Sequence, residues 1–164
     1  MKKLIIAALA VAAATTMYAQ GTINMATANP VTYGTSCGDL AGNRIGNDFV
    51  GSLLYEGQVV ASENFALSPK GKPTGKLSGD VASSTLVPAG AEVTFTLHAQ
   101  DVTALYKGDS APFTYTTGDA ADPTKLPDTQ LVFDSFTVEY VPEPTTIALG
   151  ILGLSSLLVL RRRD

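Results

Sequence analysis

The sequence has no tryptophan, one cysteine (Cys37) and one histidine (His98) among its 164 residues. Each scarcity removes a class of explanation. A single thiol permits no intrachain disulfide, so the fold must be held by its core alone, and Cys37 is expected to behave as a small buried hydrophobe. One histidine and one cysteine are too few for a zinc centre, and no cofactor is expected. The missing tryptophan weakens a glycan-binding reading, although six tyrosines keep it open. Positive charge is also scarce in the middle of the chain. Between Gln20 and Val141 there are six basic and thirteen acidic residues, a net charge of −7. Phosphate backbones would be repelled by such a surface, so nucleic acid is excluded as a partner.

What the sequence does have is 15 glycines and 9 prolines, with Thr, Val, Ser and Ala in quantity. Short strands joined by Gly/Pro turns fit this composition better than helices do. If both ends are processing segments, about 120 residues remain, enough for one modest core and too few for a large multidomain enzyme.

Met1-Lys2-Lys3 is followed by an unbroken apolar run from Leu4 to Ala14, then Thr15-Thr16-Met17-Tyr18-Ala19. This is the order of a secretory signal, and the run is shorter than the roughly 20 residues a bilayer span requires. Residues 1–19 are therefore read as a signal peptide. The expected cut lies between Ala19 and Gln20, made by signal peptidase. No cysteine stands just after the run, so this is not a lipoprotein signal.

The other end, residues 141–164, has three ordered parts. Val141-Pro142-Glu143-Pro144 should be extended, because each proline fixes its own φ and pushes the preceding residue out of the helical region. Thr145 to Leu160 is an apolar helix. Its nine large aliphatic residues contribute about −3 to −5 kcal/mol to insertion. Its length of about 24 Å falls short of a roughly 30 Å hydrocarbon core, so insertion should be marginal. Arg161-Arg162-Arg163 then acts as the membrane stop, since arginines flanking an apolar helix stay cytoplasmic. Together these parts resemble the PEP-CTERM sorting signal, whose bearers are thought to be substrates of exosortase, a membrane-embedded transpeptidase-like enzyme. The same tail is also labelled the C-terminal domain of ice-binding proteins, a label that implies no ice binding here. The resemblance implies a cut near Pro142-Glu143-Pro144, loss of the helix, and transfer to the cell surface or release. It covers about 24 residues and rests on three features in fixed order.

Residues 20–140 read as an all-β unit: a single antiparallel β-sandwich or jelly-roll-like domain. Ala91 to Gln100 alternates, with Val93, Phe95 and Leu97 on one face and Glu92, Thr94, Thr96 and His98 on the other. Phe49–Tyr55 and Gln58–Ala61 form a hairpin across Glu56-Gly57. Thr22–Thr27, Ala82–Val87 and Phe113–Thr117 are further strands. Leu131–Tyr140 changes phase, which a bulge near Asp134-Ser135 would reconcile. Ser68–Gly79 and Thr117–Thr129 are loops by composition.

Signals for chemistry are weak. His98 with Asp101 and a serine would make a triad, but His98 falls on the solvent face and no Gly-x-Ser-x-Gly elbow is present. Lys70 to Leu77 departs from a phosphate loop in spacing, and Leu77 stands where Ser or Thr is needed. Asp119, Asp122 and Asp128 share one loop and could offer hard oxygen ligands to calcium, without the spacing of an EF-hand. The expectation is a non-enzymatic exported surface or matrix protein with a structural or adhesive β domain. Its partners would be signal peptidase, an exosortase-type transpeptidase, the membrane through the tail helix, and extracellular polysaccharide. The rivals are a carbohydrate-binding module or small secreted hydrolase, and a permanently anchored single-pass membrane protein.

Overall fold

The computed structural model describes residues 20–142. The signal segment with Ala19, and the tail from Glu143 through Arg161, Arg162 and Arg163, lie outside the described residues. Strand makes up 49% and helix 5% of the described chain, so the domain is all-β as expected. The strands are β1 (Gly21–Asn24), β2 (Thr32–Tyr33), β3 (Phe49–Tyr55), β4 (Gln58–Leu67), β5 (Pro73–Leu77), β6 (Val81–Ser84), β7 (Glu92–Asp101), β8 (Tyr106–Asp109), β9 (Phe113–Thr116), β10 (Gly118–Asp119) and β11 (Thr137–Tyr140). One short 3-10 helical segment, Thr35–Leu40, follows β2.

The central strand is β7, and its alternation is the one the sequence predicts. Val93, Phe95, Leu97 and Ala99 are buried, while Glu92 and Thr94 are exposed. β3 pairs along one edge of β7. Two strands share the other edge, β9 beside Glu92–Phe95 and β8 beside His98–Gln100. Ser110 fills the break between them. Its backbone N–H donates to Leu97 O, and its hydroxyl accepts from Leu97 N, each at 2.9 Å. The predicted hairpin forms with Tyr55 opposite Gln58. Glu56 and Gly57 have φ of +50° and +78°, the left-handed pair that a two-residue turn of matching twist requires.

The larger sheet runs β2-β11-β8-β7-β3-β4-β5, with β9 attached to β7; the smaller runs β10-β1-β6. The two outer edges of the larger sheet meet, giving a near-barrel. Val31 N–H donates to Gly75 O (2.7 Å), Gly75 N–H to Ile45 O (2.9 Å) and Ile45 N–H to Val31 O (3.3 Å). These three bonds join the start of β2 to β5 and satisfy backbone groups that would otherwise be open edges. Inside lie Ile23, Met25, Phe49, Leu53, Phe65, Phe95 and Leu97, all essentially inaccessible. Tyr115 links the two sheets. Its hydroxyl accepts from Asn24 N (2.8 Å) and donates to Asp128 O (2.9 Å). Burial, with Asp128 adding to it, pushes that phenol up to about 12 against the Asn24 bond that lowers it, so it stays a neutral donor. Tyr115→Phe should lower stability by about 1–3 kcal/mol, the cost of leaving buried backbone groups unpaired. Chemical denaturation that changes the midpoint but not the slope would show it.

Three expectations are corrected. The sheet is not wholly antiparallel: β11 pairs with β2 in parallel. Parallel neighbours need a long crossover, and here almost the whole barrel lies between them. Leu131–Tyr140 is not one bulged strand. Leu131 makes an isolated parallel bridge to Thr27, the chain then leaves the ladder, and β11 begins only at Thr137. The Ser68–Gly79 loop contains β5. That strand carries Pro73 and Gly75 and buries only Gly75 and Leu77, too little apolar alternation to be read.

Candidate functional site

The proposed cutting motif begins just after β11. β11 is held on both sides before it reaches Val141. Gly34 N–H donates to Val138 O at 2.7 Å, and Cys37 Sγ, buried as expected, lies 3.4 Å from the same oxygen. Ser36 and Glu139 form a mutual clasp. Glu139 accepts from Ser36 N–H (3.1 Å) and from the Ser36 hydroxyl. The hydroxyl oxygen in turn accepts from Tyr140 N–H at 2.8 Å. The Ser36 bonds hold the Glu139 carboxyl below the usual carboxylate range. A Cβ at Gly34 would overlap that carboxylate, so a side chain there would push Glu139 out of the clasp.

Tyr140 packs on Tyr106 with ring centroids 5.5 Å apart, Tyr106 on Tyr33 at 5.6 Å, and Tyr33 on Phe49 at 5.5 Å. Among the described residues, the last tie is Val141 N–H to Leu105 O, 2.7 Å. Pro142 is exposed. Gln20, at the other predicted cut, is exposed too, and its carbonyl accepts from Ala120 N–H at 3.1 Å. It lies at the opposite end of the barrel, beside the 117–130 segment.

Leu105 belongs to a turn built on Asp101. One carboxylate oxygen accepts from Thr103 N–H (3.3 Å) and the Thr103 hydroxyl, the other from Tyr106 N–H at 2.9 Å. Burial pushes this carboxyl up, and the hydrogen bonds from Thr103, Tyr106 and Leu105 outweigh it, leaving it below its ordinary value of 3.8. A group depressed in the folded state stabilises above its unfolded pKa and loses that contribution as pH falls through the folded one. Thermal midpoints measured from neutral pH downward should therefore start to fall near pH 3.8. Asp101→Asn should be less stable at neutral pH and show a flatter acid limb.

Asp101 is thus not the partner of His98. His98 Nδ1 lies 2.6 Å from Asp109 Oδ1 and Nε2 lies 3.2 Å from Gln100 Oε1. Ser52 stands opposite His98 in register, but its hydroxyl pairs with that of Ser62 at 3.0 Å. Ser62, Ser52, His98 and Asp109 form a polar row across four strands with no serine–imidazole hydrogen bond. Both ring nitrogens are engaged elsewhere. Asp109 was not foreseen, although Asp101 could have been rejected by alternation, since residues 98 and 101 point to opposite faces.

The three aspartates do not converge either. Asp119 caps Ala121 N–H, Asp122 takes Thr124 N–H and hydroxyl, and Asp128 takes Thr116 N–H. Among the described residues no group of three or more His, Cys, Asp or Glu is placed to hold a metal. The Lys70–Leu77 segment contains β5 and is followed by β6, not by a helix.

One groove, of about 460 Å³, opens beside the 3-10 segment. It is lined by Tyr33, Leu40, Asn43, Arg44, Asp48 and Lys72. Burial, with Asp48 adding to it, pushes the Tyr33 phenol up to about 12, so Tyr33 offers a neutral hydroxyl there. No helix among the described residues is long and apolar enough to cross a membrane, and Thr145–Leu160 lies outside them.

Compared with protein-family models, curated proteins and solved structures, the chain has no match.

Proposed function

We propose that the chain is an exported bacterial surface or extracellular-matrix protein, sorted by an exosortase-type transpeptidase that reads Val141-Pro142-Glu143-Pro144. Signal peptidase would cut between Ala19 and Gln20. The Thr145–Leu160 helix and Arg161–Arg163 would hold the precursor in the membrane until the second cut. The hydrophobic tail is then an address and not a lasting anchor. The observation that carries this reading is how β11 runs up to the motif. Val141 N–H bonds Leu105 O, and Pro142 is exposed. A cut beyond Pro142 would remove none of the described strands.

The β domain's role in this reading is non-catalytic, structural or adhesive, with extracellular polysaccharide as the contact. In support, His98 is committed to Asp109 and Gln100. For the finer fold class we propose a β-sandwich or jelly roll whose two layers are the larger and smaller sheets. The test is replacement of Pro142, Glu143 and Pro144 by alanine in producing cells. The variant is expected to accumulate uncleaved in the membrane fraction. Normal processing of the variant would overturn the reading, and a wild-type chain that also stays uncleaved would favour a permanent anchor.

A further inference from the structure

We infer that the barrel end from which Val141 leaves is a membrane-docking face, which rests on an anionic phospholipid surface while the precursor is anchored. The inference rests on the proposed tail helix and adds a second, independent contact to it.

Charge differs between the two ends. The far end of the barrel carries the Glu56-Gly57 turn, the start of β7 and the 117–130 segment. Its carboxylates are Glu56, Glu92, Asp119, Asp122 and Asp128, against Lys125 alone. The exit end carries the loops 34–48, 68–72 and 101–105. It holds four of the six basic residues of the domain, Arg44, Lys70, Lys72 and Lys107. Its acids are Asp39, Asp48, Asp101 and Glu139, and the last two are turned to hydrogen bonds inside the domain. A domain of net −7 is therefore neutral at the exit end and strongly acidic at the other. An anionic surface repels one end and accepts the other.

Apolar side chains project at the same end. Val102 stands 74% exposed at the tip of the β7–β8 turn, with Leu40 at 40% and Tyr140 at 42%. These are neighbours: Val102 N–H bonds Asp48 O, Asp48 and Leu40 line one groove with Arg44 and Lys72, and Leu105 O holds Val141. Val59, Leu86 and Leu126 also project from the far end, at 57%, 51% and 75%, but they do so among carboxylates, and Val81 and Val132, at 66% and 59%, stand away from the exit loops. The exit end joins its apolar tips to four cations, where Leu126 has Lys125 alone, and cations beside apolar tips are the combination that seats a peripheral surface in the headgroup region. Reach agrees, because four residues from Val141 to Thr145 extend at most about 14 Å.

Since the chain has no tryptophan, Val102→Trp and Leu126→Trp each create a single indole reporter. The full-length precursor of each is reconstituted into phosphatidylcholine vesicles with phosphatidylglycerol, with and without brominated acyl chains. The Val102→Trp emission is expected to be blue-shifted and quenched to about half by brominated lipid, and the Leu126→Trp emission to be unaffected. Adding Arg44→Glu and Lys72→Glu to Val102→Trp should abolish the quenching while the protein still floats with the vesicles. Flotation without quenching at position 102, or quenching that survives the charge reversal, overturns the docking face and leaves the tail reading standing. Failure to float overturns both.

Discussion

Gly75→Ala should unfold the domain far more readily than its single methyl suggests. Gly75 has φ of +68°, and an added Cβ would lie 2.5 Å from Val31 O and 3.1 Å from Pro30 Cβ. The left-handed conformation costs a residue with a Cβ about 1–2 kcal/mol. The contact with Val31 O is to backbone and cannot be relieved by a rotamer, so the strands must separate. That separation weakens the two closing bonds at 2.7 and 2.9 Å, each worth about 1 kcal/mol net. The sum is about 3 kcal/mol against a domain stability of roughly 5–15 kcal/mol. A thermal midpoint lowered by about 10 °C is expected, with early loss of exchange protection at the Val31 amide. A midpoint within about 2 °C of the parent would mean that the edge closure contributes little.

Phe95→Ala should be as severe or worse, for a different reason. Phe95 is fully buried on the central strand, and its ring meets Tyr55 at 6.0 Å, Phe113 at 6.4 Å and Tyr115 at 5.9 Å. Phe113 continues to Phe133 and Phe133 to Phe136. One ring therefore ties β3, β7, β9 and the segment before β11 into a single aromatic path. Truncation removes the transfer free energy and leaves a cavity, together about 3–5 kcal/mol. Phe95→Leu refills most of the volume and should cost less than half as much. If the two variants melt together, the loss is not a cavity effect.

How much of this was legible depends on which force shapes each segment. The β3–β4 hairpin and β7 announce themselves because burial on one face imposes period-2 alternation, and Glu56-Gly57 supplies the turn. β5 and β8 are silent. Pro73-Thr-Gly-Lys-Leu77 and Tyr106-Lys-Gly-Asp109 are strands because neighbours offer them hydrogen bonds, not because their own side chains alternate. Missing β8 is what hid Asp109, which reaches His98 through the β7–β8 register. The parallel pairing of β11 with β2 joins residues more than 100 positions apart, such as Thr137 and Thr32. No local pattern encodes it. The predicted cutting motif could be read from its prolines, but its clasp could not. Ser36, Gly34 and Glu139 become partners only when β11 docks beside the 3-10 segment.

In the proposed function the tail is an address, removed just beyond β11. Intact-mass measurement of the mature protein, from producing cells with and without the sorting transpeptidase, tests it most directly. With the enzyme present, the chain should begin at Gln20 and end between Pro142 and Pro144. Without the enzyme it should keep the segment through Asp164. A mature chain that still ends at Asp164 in cells with the active enzyme would contradict it.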